Sequence, residues 1–403
     1  MIYAIYGIMN CADAQTIFNT RAMKGTRDME LADLRERIDG IDRQIVELYE
    51  QRMGISRQVA EYKIETGKKV FDKEREEEKL RKVKSLTSDE FNRHGVEELF
   101  EQIMSMSRKL QYKMLAEKGS IGRLPFMEVD SLEKEKARVV FPGAEGAYTQ
   151  EAMKRYFGRN VNSFHVDTFR DAMIAIDEGS ADFAVLPIEN STAGIVNEIY
   201  DMLVEFENYI VGEQIIKIEH CLMALPGTRL EDVKTVYSHP QSLMQSSKYL
   251  REHSSWRQIG MDNNAFAARK VAEDGDGTQA AIAGSHAAET YGLEILEKGV
   301  NRSSANSTRF IIVTNRKIFL KDAGKVSICF EVPHESGSLY HMLSHIIYNN
   351  LNMNRIESRP VEDRNWEYRF FIDFDGNLGD GAVKNALRGL REEARNMRIL
   401  GNY

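Results

Sequence analysis

Arg52 and Lys63 stand 11 residues apart in a stretch free of proline. Eleven helical residues make three turns with only about 20° to spare, so both cations fall on one helix face. Asp72, Arg75 and Glu76 follow at i, i+3 and i+4 and share a face of their own. Ser107 and Gln111 repeat the i, i+4 spacing on a third segment. Arg35 precedes Arg52 by 17 residues, roughly 100° off the shared face, so one helix does not readily aim both into one pocket. Taken singly, each is an ordinary solvated helix charge. Taken together, arginines, a lysine and amide and hydroxyl donors are equipped to orient a small anion and to stabilise charge that builds on it.

Two further groups of polar residues lie later in the chain. Phe141-Pro142-Gly143-Ala144-Glu145-Gly146-Ala147-Tyr148-Thr149 puts two glycines in a strand-to-helix turn, where amides at a helix start suit a carboxylate. Pro187-Ile188-Glu189-Asn190-Ser191-Thr192-Ala193-Gly194 follows a buried strand, the place where α/β sheets hold ligands. Asn306-Ser307-Thr308-Arg309-Phe310 is a polar turn entering a strand, and Tyr237-Ser238-His239-Pro240-Gln241 is a turn candidate. Finally, His334-Glu335-Ser336-Gly337-Ser338-Leu339 and Glu357-Ser358-Arg359-Pro360 flank a C-terminal helix.

These residues need elements to position them. Leu31, Leu34, Ile38, Ile41, Ile45 and Leu48 recur at helical spacing, and the pattern predicts helices over about 30–66, 72–86 and 95–117. The first would be roughly 54 Å long, longer than a small domain is wide, so a helical dimer is the natural way to cover it. Residues 118–137, with Gly119, Gly122 and Pro125, read as a linker. From Arg138 apolar strands such as Val139–Phe141, Phe183–Leu186, Ala280–Ala283 and Phe310–Val313 alternate with helical stretches, an α/β pattern over 138–316. Residues 325–403 read βαββαβ, the ferredoxin-like order, with strands at Val326–Val332, Ile356, Tyr368–Phe374 and Met397–Leu400 and helices at Ser338–Asn350 and Ala382–Ala394.

The 403 residues allow two or three domains. A net charge of −8 argues against nucleic acid as a partner. Cys11, Cys221 and Cys329 form no CxxC pair, which fits a reducing cytoplasm and neither a disulfide framework nor a metal site. No apolar run approaches the ~20 residues of a membrane helix. Residues 1–28 open without a basic segment, so a signal peptide is not expected. They read as a non-functional leader, with Met23 or Met29 as the natural start and the first domain covering 29–117.

Leu34-Arg35-Glu36, Ile41-Asp42, Glu50-Gln51-Arg52, Lys63 and Asp72-Lys73-Glu74-Arg75-Glu76 resemble the helical chorismate mutase domain of bacterial bifunctional enzymes. The resemblance implies an intertwined dimer with Arg35 supplied by the partner. It also implies that Arg35, Arg52 and Arg75 bind the carboxylates of chorismate, and that Lys63 and Gln111 donate to its ether oxygen. Asp72, Glu76 and Ser107 would hold the ring hydroxyl or support the arginines. The rearrangement is pericyclic, so no cofactor or metal is expected.

Residues 138–315 resemble prephenate dehydratase, above all in Thr308-Arg309-Phe310 combined with Pro187-Ile188-Glu189-Asn190. That implies two α/β lobes with a cleft site, Thr308 as the group acting on the leaving hydroxyl, and Arg309 on a carboxylate. Thr149, Asn190, Ser191, Thr192, Gln241 and Phe310 are further candidates for substrate contact. Glu189 reads equally as a loop brace, and His239 as a proton shuttle or a turn residue. Gly-Ala-Tyr-Thr stands where the family commonly has Gly-Ser-Tyr-Ser, so Ala147 lacks a hydroxyl. The two C-terminal segments resemble the phenylalanine-binding segments of ACT domains, which implies feedback inhibition by L-phenylalanine through Gly337, Ser338, Leu339, Glu357, Ser358, Arg359 and Pro360. Ser338 replaces the usual alanine.

Two competing readings are weaker. A mutase fused to a dehydrogenase needs a strand followed by GxGxxG, and 138–315 has none. A solute-binding module with an amino-acid sensor leaves the intact Thr308-Arg309-Phe310 triplet unexplained. The expected protein is therefore a multidomain homo-oligomer, a dimer through its helices with a tetramer as the alternative, and with no membrane or nucleic-acid partner.

Overall fold

The computed structural model describes residues 31–118, 124–302, 305–332, 334–335, 337–361, 364 and 366–403. The expected leader lies outside them. The N-terminal region is helical: α1 (Leu31–Thr66), α2 (Lys73–Lys84) and α3 (Glu90–Glu117). Asp72 is the N-cap of α2, accepting the Arg75 amide at 3.1 Å, and Arg81, Lys82 and Lys84 complement the dipole at its other end. α3 starts five residues before the expected position 95, because Asp89 caps it by accepting the Asn92 amide at 2.9 Å. Its polar first turn hides that start from a reading of apolar periodicity.

The packed part of the helical region is small, with Val70, Tyr112 and Leu115 buried together against Ile64. The N-terminal two-thirds of α1 has almost no cover. Leu31, Leu34, Ile38, Ile41, Ile45, Val46, Leu48 and Ile55 are all exposed.

The segment expected as linker is partly structured. Met127–Val129 forms a short parallel pair with Ile318–Leu320, and Leu132 is buried. Leu124 and Phe126 pack on the C-terminal core.

The α/β region contains two sheets. The five-stranded one runs in the order Glu294–Lys298, His220–Ala224, Gln279–Gly284, Thr235–Ser238, Arg257–Gly260, with an alanine-rich core on one face and a core of larger side chains, Leu222, Leu250 and Trp256 among them, on the other. The other begins with Asn162–Val166, Arg138–Pro142, Phe183–Asn190, Ser307–Thr314 and Tyr209–Lys217. It continues into the C-terminal strands Arg395–Asn402, Lys325–Glu331, Tyr368–Asp375 and Met353–Pro360. The two halves meet where Gly401 lies opposite Ile210. A Cβ on Gly401 would come 2.1 Å from the Ile210 carbonyl oxygen, so only glycine permits this junction.

The C-terminal strands alternate between two cores. Val326, Ile328, Phe330, Ile372 and Phe374 pack under the helices Ser338–Ile347 and Gly381–Glu393. Cys329, Phe371 and Leu400 face the other way, into the core of the preceding α/β region. There the Phe371 ring meets Tyr200 edge-on at 4.8 Å, an arrangement worth about 0.5–1.5 kcal/mol beyond the buried area. The last strand runs for eight residues rather than the short Met397–Leu400. No helix among the described residues is long and apolar enough to cross a membrane.

Candidate active sites

The helical spacing delivers the first site. A cavity of about 340 Å³ is lined by Arg52, Lys63, Asp72, Arg75, Glu76, Ser107 and Gln111, with Ile55, Ser56, Val59, Val70, Lys79, Met104 and Arg108 completing the wall. That volume lies in the range of small-molecule sites, ~300–1,000 Å³. Arg52 Nη1 donates to Ser107 Oγ at 2.7 Å, and Ser107 Oγ is also 3.1 Å from Ser56 Oγ. Lys63 Nζ donates to the Val70 carbonyl at 2.6 Å, which ties α1 to the α2 approach. Burial lowers the pKa of Arg52 despite Glu76 nearby, and that of Lys63 despite Asp72 and Glu76. Partly desolvated cations of this kind gain from an incoming anion. Gln111 Oε1 is buried with no hydrogen-bond partner among the described residues, a state that a ligand donor relieves.

Two of the lining residues already have partners, and one candidate lies outside the cavity. Arg75 Nη1 pairs with Glu78 at 2.8 Å on a mostly exposed side chain, and the Asp72 carboxylate is engaged at its cap. Arg35 lies on the uncovered arm of α1 and lines no part of the cavity. Arg108 was not among the sequence candidates. It follows Ser107 directly, and only tertiary packing reveals that its Nη1 donates to Glu76 Oε2.

The second site centres on Thr308. Asn190 Oδ1 accepts the Thr192 amide (3.0 Å), the Thr192 hydroxyl (2.8 Å) and the Ala193 amide (2.9 Å). Those three donors fix which end of the amide is oxygen, so Nδ2 must be the end that faces Thr308 Oγ1 (2.9 Å) and Asn306 Oδ1 (2.8 Å). Thr308 Oγ1 therefore accepts from Asn190, leaving its own proton to donate.

The network continues across the lobes. Asn306 Nδ2 and His220 Nε2 both approach Gln245 Oε1, at 3.2 and 3.0 Å, while Gln245 Nε2 donates to Thr192 Oγ1 at 3.2 Å. Burial lowers the His220 pKa and favours the neutral ring; its Nδ1 is 3.0 Å from the Tyr148 hydroxyl. Gln245 and His220 were missed in the sequence because neither stands in a recognised motif.

The glycine turn serves this geometry. Gly146 has φ +79°, and a Cβ there would lie 3.0 Å from Ala287 on the facing lobe. Ser191 braces the start of the Thr308 strand, accepting the Ser307 amide at 3.0 Å and donating to the Ala305 carbonyl at 3.1 Å. Thr149 and Gln241 sit half-buried in the first turns of Tyr148–Phe157 and Pro240–Gln245. The His239 side chain caps the latter helix, accepting the Gln241 amide at 3.2 Å, as expected of a turn residue.

Three candidates lie away from this network. The strand begins at Ser307, so Thr308 and Arg309 belong to the strand itself and face opposite ways. Arg309 Nε donates to Glu213 at 2.8 Å, and its Nη2 donates to Asp373 at 3.1 Å and the Tyr403 hydroxyl at 2.6 Å. Burial works against this charge, yet Tyr403, Asp373 and Glu213 outweigh it and raise the pKa. Glu189 accepts from Arg355 Nη1 at 2.8 Å, joining the lobe to the C-terminal sheet. Phe310 is buried in the lobe core with Phe141 and Ile312.

Of the C-terminal segments, Gly337 (φ +80°) precedes the helix Ser338–Ile347, and Leu339 packs on the core beneath it. Glu357, Ser358, Arg359 and Pro360 lie in the outermost strand, Met353–Pro360. Arg359 pairs with Asp201, Nε to Oδ1 at 3.1 Å, and Glu357 Oε1 is 3.4 Å from Arg355.

Comparison with known proteins matches both halves. The chorismate mutase type II family covers residues 34–112 and the prephenate dehydratase family residues 139–318. The bifunctional chorismate mutase/prephenate dehydratase of Escherichia coli K12 is 30% identical over 384 residues, 94% of this chain and 97% of that protein. A prephenate dehydratase from Arthrobacter aurescens, solved in complex with L-Phe, is 29% identical with a TM-score of 0.61, covering 66% of this chain and 89% of its own. A structure described as GqqA, a novel type of quorum-quenching acylase, is 32% identical with a TM-score of 0.61, covering 66% of this chain and 97% of its own.

Proposed function

The chain belongs to the bifunctional chorismate mutase/prephenate dehydratase family, and we propose from its geometry which residues carry each step. It is an enzyme of phenylalanine biosynthesis that rearranges chorismate to prephenate and converts prephenate to phenylpyruvate.

The first step belongs to the cavity of α1, α2 and α3. Arg52 and Arg75 bind the carboxylates of chorismate, which holds the compact conformer in which the new carbon–carbon bond forms as the ether bond breaks. Lys63 and Gln111 donate to the ether oxygen, where negative charge builds. Glu76 and Ser107 hold the ring hydroxyl and the arginines, and Asp72 fixes the start of α2. The observation that carries this reading is the convergence of these seven residues on one cavity.

Arg35 completes the site from a second copy. The apolar stripe from Leu31 to Ile55 is a contiguous uncovered face, and such faces are interaction surfaces. An antiparallel or crossed α1 of a partner covers it and brings Arg35 to the other copy's cavity. The test is Lys63→Ala: loss of chorismate consumption with retained turnover of supplied prephenate supports the assignment, and unchanged chorismate consumption refutes it.

The second step belongs to the cleft around Thr308. The ring carboxylate leaves as carbon dioxide, its electron pair enters the ring, and the opposite hydroxyl departs. Thr308, held as an acceptor by Asn190, directs its proton at that hydroxyl. The departing group takes up a proton and leaves as water. A threonine is a weak acid, so the connected Asn306, Thr192, Gln245, His220 and Tyr148 polarise it. Thr149, Ser191 and Gln241 contact substrate at the cleft rim. Arg309 supports the strand and reaches a substrate carboxylate only by exchanging one of its present partners. Glu189 and His239 are braces, and Phe310 anchors the strand.

Residues 325–403 form the regulatory unit. Their βαββαβ order, with sheet order 4-1-3-2, suits a ferredoxin-like ACT domain. L-phenylalanine binds at Gly337, Ser338 and Leu339 with Glu357, Ser358, Arg359 and Pro360, where two copies meet, and inhibits the dehydratase in the cytoplasm. Phenylalanine titration of dehydratase activity tests this: falling activity supports it, and undiminished activity at saturating phenylalanine refutes it.

A further inference from the structure

The C-terminal unit touches the mutase cavity through a chain of buried charges. Arg108 on α3 has only 7% of its side chain exposed and stands between two carboxylates. One is Glu76, which lines the cavity and accepts from Arg108 Nη1. The other is Glu393, at the end of the helix Gly381–Glu393, whose Oε1 is 3.0 Å from Arg108 Nε, a close ion pair without hydrogen-bond alignment. Glu393 is itself 8% exposed, and the same Oε1 is 3.0 Å from His345 Nε2 on the helix Ser338–Ile347. The neighbouring Glu392 accepts from the Tyr112 hydroxyl of α3, so the helix end is held twice. The Phe71 ring lies 5.1 Å from the Arg108 guanidinium and flanks it.

A buried guanidinium is costly unless its partners are fixed. Burial disfavours the Arg108 and Glu393 charges, and their opposite partners outweigh it in both cases. The orientation of Arg108 is thus set from one side by the C-terminal helix, and the orientation of Glu76 is set by Arg108. Salt does little to loosen such a pair, because water and ions are excluded from it.

We propose that Arg108 and Glu393 are positioning residues for the mutase reaction: Glu393 of the C-terminal unit fixes Arg108, Arg108 fixes Glu76, and the mutase cavity is complete only when that unit is docked. This rests on the assignment of the cavity as the mutase site. It makes the C-terminal unit a structural part of the first active site, independent of any effector.

The test is a double-mutant cycle in the full chain, with chorismate and prephenate assayed separately. Glu393→Gln keeps shape and removes charge. It should raise KM for chorismate about tenfold, the scale of one lost close charge pair, with turnover of supplied prephenate unchanged. On a Glu76→Gln background the same substitution should have little further effect, because the group it positions is gone. Arg108→Lys, which keeps the charge and loses the fork, should behave like Glu393→Gln. A wild-type KM in Glu393→Gln, with Glu76→Gln impaired, overturns the proposal and leaves the mutase site standing. Fully additive effects overturn it too, since a general loosening of the fold adds. An unimpaired Glu76→Gln instead overturns the cavity assignment itself. Should Glu393→Gln also lose prephenate turnover through misfolding, Glu393→Asp carries the same comparison.

Discussion

Thr308 and Arg309 are adjacent in sequence and face opposite sides of one strand: the hydroxyl accepts from Asn190 at 2.9 Å toward the cleft, and the guanidinium meets Asp373 at 3.1 Å toward the C-terminal sheet. The same strand therefore carries the proposed acting hydroxyl on one face and the attachment to the C-terminal unit on the other. Thr308→Val keeps the shape and removes the proton. It should bind prephenate nearly as before and dehydrate it roughly 10²-fold more slowly, the usual range for lost proton-transfer help. Wild-type turnover in this variant removes Thr308 from the mechanism.

Arg35 and Arg52 should complement each other across a dimer. Neither Arg35→Ala nor Arg52→Ala alone should rearrange chorismate at an appreciable rate. Mixed and allowed to exchange, the two chains form one intact site per heterodimer and should regain part of the activity. Exchanged heterodimers without recovery contradict supply of Arg35 by the partner.

Lys109 gives the contact between α3 and the C-terminal helices a pH dependence. Its ammonium is buried, 3.3 Å from the Tyr348 ring centre and 3.4 Å from Ser344 Oγ. Burial, with the Arg108 charge beside it, depresses its pKa to about 7. The unfolded chain keeps an ordinary lysine near 10.4, so between about 7 and 10 it binds more protons than the folded one. Stability from this site therefore rises with pH over that window, and the penalty is fully present below it. Lys109→Met should flatten the rise in thermal midpoint between pH 7 and 9. An equal slope in both proteins refutes the shift.

Residues set by local periodicity were legible in the sequence. Arg52 and Lys63, or Ser107 and Gln111, reach one cavity because helical spacing alone fixes their faces. The βαββαβ order was legible from alternating runs, although the last strand is longer than its apolar centre. Arg108 was not legible, since an arginine beside Ser107 reads as a solvated charge until the helix Gly381–Glu393 buries it. The same holds for Glu189 with Arg355 and for Arg309 with Glu213, Asp373 and Tyr403, pairs fixed by how the sheets join. Gln245 and His220 escaped because the cleft network crosses between lobes, and no local pattern records that crossing. The start of α3 was misplaced because its first turn is polar and capped by Asp89.

One chain is expected to perform both steps without a second enzyme. The direct measurement is a time course with the purified full chain and chorismate alone, with no nucleotide added, following chorismate, prephenate and phenylpyruvate together. Chorismate should disappear and phenylpyruvate accumulate to match it, with carbon dioxide released in equal amount. Chorismate left unconsumed, or prephenate accumulating without phenylpyruvate, would contradict it.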